Sequence, residues 1–248
     1  MTDVATTEKT PFLKAMFDVG AHYGYKRSRR HPSVRDFIFG VKNNVEIIDL
    51  EKTNELLEKA KAFVASVASA GGQILFASSK HEAMQAVSEG AKSISMPFMA
   101  GRWIGGTLTN MPEIRKRVDR FEDLRAKREA GELAKYTKRE QLLFDREINK
   151  LEKMFGGIVT MRQKPAALFI VDPREEHTAV REARRLGIPI VALVGSDNDL
   201  SPITYPIVGN DASRSSIEFF VAEIVRAYGE HASTPGPSAP APMERSAS

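Results

Sequence analysis

Apolar and polar positions change rhythm at short intervals along this chain. Phe37–Lys42 (FIFGVK) and Val45–Asp49 (VEIID) read as two short strands, with Asn43-Asn44 as a hairpin-like turn. From about Glu51 to Ala70 the period becomes helical. Leu56, Leu57, Ala60, Phe63, Val64 and Val67 form its stripe, and Gly71-Gly72 stops it. Gln73–Ser78 is a buried strand. Ser79 and Glu82 have the spacing of a capping box, opening a helix to about Lys92 with Ala83, Met84, Val87 and Ala91 inward. Met96–Ala100 is a further short strand.

The alternation breaks between about Asn110 and Phe155, a charged stretch without a strand candidate. Asn110 and Glu113, with Pro112 in the first turn, open a helix whose seam is Met111, Ile114, Val118, Phe121 and Arg125. Gly131 interrupts it. Thr137 and Glu140 form a second capping box, followed by the seam Phe144, Ile148, Leu151 and Phe155. Two helices with one narrow apolar seam each predict an antiparallel coiled-coil hairpin projecting from the globule.

Alternation then resumes. Ala166–Val171 and Ile188–Val194 are continuous apolar strands, and Tyr205–Val208 is a short last one. Asp172 and Pro173 read as the cap and first position of a helix Arg174–Leu186, which buries Ala179, Val180, Ala183 and Leu186 and ends at Gly187. A helix from about Ala212 to Tyr228 turns Ile217, Phe220, Val221, Ile224 and Val225 inward, and Gly229 closes it. Apolar strands alternating with helices predict an α/β fold: a Rossmann-like, mainly parallel sheet with helices on both faces and the hairpin inserted. The expected division is a flexible 1–10, a discontinuous α/β domain over 11–109 and 156–230, the hairpin over 110–155, and a disordered Pro/Ala/Ser tail over 231–248.

Composition narrows the function classes. The 248 residues contain no cysteine, which excludes disulfides, Cys-zinc sites, iron–sulfur clusters and a thiol nucleophile, and suits a reducing compartment. No apolar run reaches the roughly 18 residues a membrane helix needs, and MTDVATTEKT has no signal-like apolar region. Lys and Arg number 36 against 32 Asp and Glu, an excess that permits a polyanionic partner without demanding one, so charge placement decides.

Parallel sheets bind ligands beyond the carboxyl ends of their strands. Here those ends are Ser78-Ser79-Lys80, Asp172-Pro173-Arg174 and the run from Gly195 to Asp199, none of which is a phosphate loop. The run from Gly101 to Thr107 has the wrong spacing for one. His22-Tyr23-Gly24-Tyr25 resembles a nucleotidyl-transferase H-x-G-H signature but lacks its second histidine. Asp197, Asp199 and Asp211 could hold a hard cation or simply cap helices; polar capping is the commoner use, and no metal, cofactor or catalytic residue is assigned. An enzyme using the strand ends for a phosphorylated substrate, and a free-standing RNA-binding regulator, remain the rival readings.

The basic stretches say more. Residues 22–35 hold Lys26, Arg27, Arg29, Arg30 and Arg35 without an acid, interleaved with Tyr23 and Tyr25. Such like charges repel unless an anion compensates them, and flat rings among them can stack on bases. Arg102 lies beside Trp103, the only tryptophan, and Lys164 lies in a smaller basic loop. Lys26, Arg27, Arg29, Arg30, Arg35, Arg102 and Lys164 are therefore the candidate RNA-binding residues. Tyr23, Tyr25 and Trp103 are candidates for stacking or protein contact, and Trp103 could equally plug the base of the hairpin against the sheet. The hairpin carries 13 basic against 10 acidic residues, a balance usual for a solvated face.

Several of these runs occur together in one known family. Gly20–Tyr25 (GAHYGY), Phe39-Gly40, Ile47–Thr53 (IIDLEKT), Arg102–Asn110 (RWIGGTLTN), Leu151–Ile158 (LEKMFGGI), Pro165–Pro173 (PAALFIVDP), Glu182–Pro189 (EARRLGIP) and Gly209–Ala212 (GNDA) resemble the bacterial small ribosomal subunit protein S two family. The resemblance spans about Phe12 to Tyr228. It implies a non-catalytic component of the small subunit, set between head and body against small-subunit ribosomal RNA and neighbouring small-subunit proteins. It also implies docking of the mRNA-binding protein S one in bacteria that have it, a cytoplasmic, ribosome-bound location, and no membrane partner. Two positions depart from the family pattern: Tyr25 stands for its second histidine, and Gly195–Asp199 followed by Leu200 replaces its D-T-N-x-D-P run.

Overall fold

The structure, a computed structural model, describes residues 4–232. Helix α1 is Val4–Asp18. Strands β1 (Tyr23–Lys26), β2 (Ile38–Lys42) and β3 (Val45–Ile48) form a small antiparallel sheet in the order β1-β3-β2. Asn43 and Asn44 both take positive φ, 51° and 63°, the conformation a tight two-residue hairpin turn requires. Then follow α2 (Leu50–Ser69), β4 (Ile74–Ser78), α3 (His81–Ser93) and β5 (Phe98–Ala100). The arm is α4 (Met111–Glu129) and α5 (Lys138–Phe155). The chain closes with β6 (Ala167–Val171), α6 (His177–Arg185), β7 (Ile190–Val194), β8 (Tyr205–Val208) and α7 (Arg214–His231).

The second sheet is wholly parallel, in the order β5-β4-β6-β7-β8. Every residue of β4, β6 and β7 is buried, which explains their unbroken apolar runs. Alternate residues feed two cores. Ile74, Phe76, Phe169 and Leu193 face α1, α2, α3 and α7. Leu75, Leu168, Ile170 and Ala192 face α6 and the base of the arm. The α/β architecture with helices on both faces thus follows from the sequence pattern.

Residues 4–10 lie within α1, which Leu13 and Met16 dock on the core. Three local expectations need correction. Ser79 and Glu82 form no capping box: α3 starts at His81 without a side-chain cap, and the Ser79 N–H donates to Glu176 instead. Asp172 does not cap a helix at Arg174; it takes a φ of 62°, and α6 starts at His177. In the arm, Leu124 rather than Arg125 completes the buried face with Ile114, Val118 and Phe121, while Arg125 pairs with Glu129 at 2.9 Å in solvent. The second box does form, with Thr137 and Glu140 bonded reciprocally. The expected tail lies, from residue 233, outside the described residues.

Candidate nucleic-acid interface

From β4 the chain runs out to β5 on one side, while β6 lies on the other. The crevice between the carboxyl ends of β4 and β6 is therefore the switch point where such sheets bind nucleotides. Here the chain itself fills it. Lys80, just past β4, places Nζ 2.9 Å from Asp172 Oδ2, just past β6, and 3.4 Å from Asp211 Oδ2. Tyr25 closes the top, its hydroxyl 3.2 Å from the same ammonium. Burial opposes the Lys80 charge, but Asp211 and Asp172 outweigh it and raise its pKa. Burial, with the neighbouring charge of Asp172, pushes the Asp211 carboxyl up to about 7, and its Oδ1 has no hydrogen-bond partner among the described residues. Burial and Asp211 likewise push the Tyr25 phenol up to about 12. Gly195 makes this packing possible: a Cβ there would lie 2.5 Å from Asp211 Oδ1 and 2.9 Å from the Tyr25 ring.

The basic loop is clamped over this plug. The Tyr25 N–H donates to Ser196 Oγ (2.8 Å), and the His31 N–H to the Ser196 carbonyl (2.9 Å). Two of the five cations find their compensating anions within the chain. Arg29 lies 2.6 Å from Asp197 Oδ2 and caps the Tyr25 ring at 4.4 Å. Arg30 lies 3.3 Å from the buried Glu46, whose carboxyl burial pushes up against the pull of Arg30. Lys26, Arg27 and Arg35 are exposed and form no ion pair among the described residues. Tyr23 keeps half its surface open. Arg29 covers one face of the half-buried Tyr25 ring, and Lys80 bonds its hydroxyl at the ring edge.

Arg102 and Lys164 are exposed but stand apart from the loop. Arg102 follows β5, three strands from β7, about 14 Å across the sheet. Lys164 precedes β6 and so lies at the opposite end of the strands. Trp103 is buried, which removes it from stacking on RNA; its Nε1–H donates to Glu182 Oε1 at 3.1 Å. Glu182 is the anchor of the whole 101–109 loop. It also accepts from the N–H groups of Gly106 (2.8 Å), Leu108 (3.0 Å) and Thr109 (3.1 Å) and from the Thr109 hydroxyl (3.1 Å). Burial opposes the charge, but these bonds outweigh it and hold the carboxyl below its ordinary pKa. Gly106, at a φ of 91°, supplies a left-handed residue that turns the loop around the carboxylate.

The three aspartates considered for a cation do not converge. Asp197 is taken by Arg29 and by Arg174, 2.8 Å away. Asp211 faces Lys80, and Asp199 points outward to bond the Ser201 N–H and hydroxyl. The arm's charges pair largely with each other, as in Arg115–Asp119 (2.8 Å), Lys116–Glu113 (2.6 Å) and Lys127–Asp123 (2.8 Å).

A doubly wound parallel sheet whose crevice between β4 and β6 is filled by Lys80, Asp172, Asp211 and Tyr25 defines a Rossmann-like α/β protein. The comparisons give the family. The model of Ribosomal protein S2 matches residues 16–231. A "Small ribosomal subunit protein uS2" from Solidesulfovibrio magneticus is 39% identical over 220 residues, 89% of this chain and 85% of that protein. Those from Rhodopirellula baltica and Roseiflexus castenholzii are 41% and 43% identical over 215 residues, 87% of this chain and 83% and 82% of theirs. The chain belongs to the ribosomal protein S2 family, a family of structural small-subunit proteins and not of enzymes.

Sequence reasoning missed Lys80 and Glu182 as the centres of the two buried networks. It also passed over Arg174, Arg181 and Arg184. The last pair had a signal, since two arginines three apart on a short helix share a face.

Proposed function

We propose that the chain binds small-subunit ribosomal RNA and neighbouring ribosomal proteins during translation, on ribosomes in the cytoplasm. The supporting observation is the clamped loop: Lys26, Arg27 and Arg35 stand exposed and without an acidic partner among the described residues, while Tyr25, Ser196 and Asp197 fix the backbone beneath them. Arg29 and Arg30 serve phosphates from positions already held by acids, and Arg102 and Lys164 make separate contacts. Such contacts release counterions, so affinity falls steeply with salt. Phe39, 81% exposed on the edge strand β2, and half-exposed Tyr23 on β1 supply aromatic surface for protein neighbours. Docking of protein S one belongs to the same reading and is supported by the family resemblance.

No helix among the described residues is long and apolar enough to cross a membrane. The test is sucrose-gradient sedimentation of lysate at moderate salt. The chain is expected with small subunits; finding it only at the top of the gradient defeats the reading. Charge removal belongs at Lys26, Arg27 and Arg35. A glutamate at position 29 or 30 would face Asp197 or Glu46 and damage the fold as well. The triple variant K26E/R27Q/R35E, which puts no acid beside Glu46, is expected to fold and to lose subunit incorporation.

A further inference from the structure

Beside the basic loop, α6 and the 197–202 loop enclose a groove of about 480 Å³. Its floor is apolar, made by Pro173, Val180 and Pro202. Its walls carry Arg174, Arg181 and Arg184, with His31 and His177 at the rim. His177, Arg181 and Arg184 are four and three residues apart on α6, hence on one helix face. Two acids also line the groove, and both are engaged. Asp197 is held by Arg29 and Arg174, and Asp199 bonds the Ser201 N–H at 2.9 Å, with His31 Nδ1 3.9 Å away. Arg181 and Arg184 are exposed and form no ion pair among the described residues.

We infer that this groove seats one unpaired nucleotide of ribosomal RNA, its ring on the Pro173–Val180–Pro202 floor and its flanking phosphates on Arg181 and Arg184. The inference rests on the RNA-binding reading above and adds a site to it. A duplex would present phosphates to the rim but leave the apolar floor unused, whereas an unstacked base uses both. The volume suits a single base with its ribose. The groove also continues into the cationic loop, because Arg29 and Arg174 share one Asp197 oxygen. A backbone entering the groove can therefore run on across Arg29 and the exposed cations beyond it.

The test uses the full chain and fluorescence anisotropy with three probes: an unstructured twelve-nucleotide RNA, a duplex RNA of equal length, and AMP. The single strand is expected to bind more tightly than the duplex. R181A/R184A should weaken single-strand binding about tenfold and lower the salt slope by about 1.4, two phosphates at about 0.7 each. An unchanged circular-dichroism melting curve shows the variant folded, as expected for two exposed side chains. Equal binding by wild type and variant, or equal affinity for duplex and single strand, overturns the inference. Saturable AMP binding in the micromolar range that displaces the RNA also overturns it, assigning the groove to a free nucleotide. Wild-type co-sedimentation with small subunits separates the two readings: if it persists while the variant binds RNA normally, only the groove falls.

Discussion

Glu182 and Asp211 are both buried carboxylates near the carboxyl ends of the parallel strands, yet their environments drive them in opposite directions. Glu182 accepts five hydrogen bonds from one loop and stays ionised below its ordinary pKa. Asp211 shares one ammonium with Asp172, leaves Oδ1 without a partner among the described residues, and is pushed up to about 7. Burial opposes both charges; the donors aimed at Glu182 outweigh it, whereas the charge of Asp172 adds to it at Asp211. The first site fixes the approach to the arm. The second plugs a crevice that other sheets of this kind keep open for a nucleotide.

The largest effect should come from emptying the first site. E182A leaves five donors without their acceptor and is expected to destabilise the fold by about 3–5 kcal/mol in urea unfolding. A loss below about 1 kcal/mol would show that the loop finds other partners. G195A forces a methyl group against Asp211 and Tyr25, with an expected cost of about 1–3 kcal/mol. W103F removes one donor from Glu182 while keeping most of the packing, and should cost about 1.5–3 kcal/mol.

The pH dependences have opposite signs. The folded pKa of Glu182 is lowered, so its contribution is present above the unfolded value and is lost as pH falls through the folded one. Asp211 has a raised folded pKa, so between its ordinary 3.8 and about 7 the folded state binds more protons than the unfolded state. Its contribution therefore declines as pH rises through that window, by at most about 1.4 kcal/mol per unit. D211N should flatten this decline between pH 4 and 7, measured by urea midpoints at each pH; an unchanged slope would place the titration elsewhere. The smallest effect is expected of R29A. Arg29 is half exposed and Asp197 keeps Arg174, so the stability change should stay below about 1 kcal/mol.

The sheet was legible because β4, β6 and β7 are buried on both faces and spell continuous apolar runs. The helices α4 and α5 were legible from their narrow apolar seams. The errors came where a side chain had a distant competitor. Ser79 could form a local box with Glu82, but the Ser79 N–H meets Glu176 across 97 positions. Trp103 beside an arginine leaves an exposed platform and a plug against the sheet equally open until Glu182, 79 positions away, takes its N–H. The acid-free loop 22–35 implies compensating anions, and for Arg29 and Arg30 those anions are Asp197 and Glu46 of the same chain. Spacing within a segment cannot show partners that only the fold brings near.

In the proposed function this chain presents a cationic outer surface to folded RNA while the crevice between β4 and β6 stays shut. An electron cryomicroscopy map of small subunits from the source cells tests it most directly. The map is expected to show the 22–35 loop and the α6 groove against RNA, with Tyr25 still under Arg29 and its hydroxyl still beside Lys80. A map in which both surfaces face open solvent, or in which a nucleotide lies between β4 and β6, would contradict it.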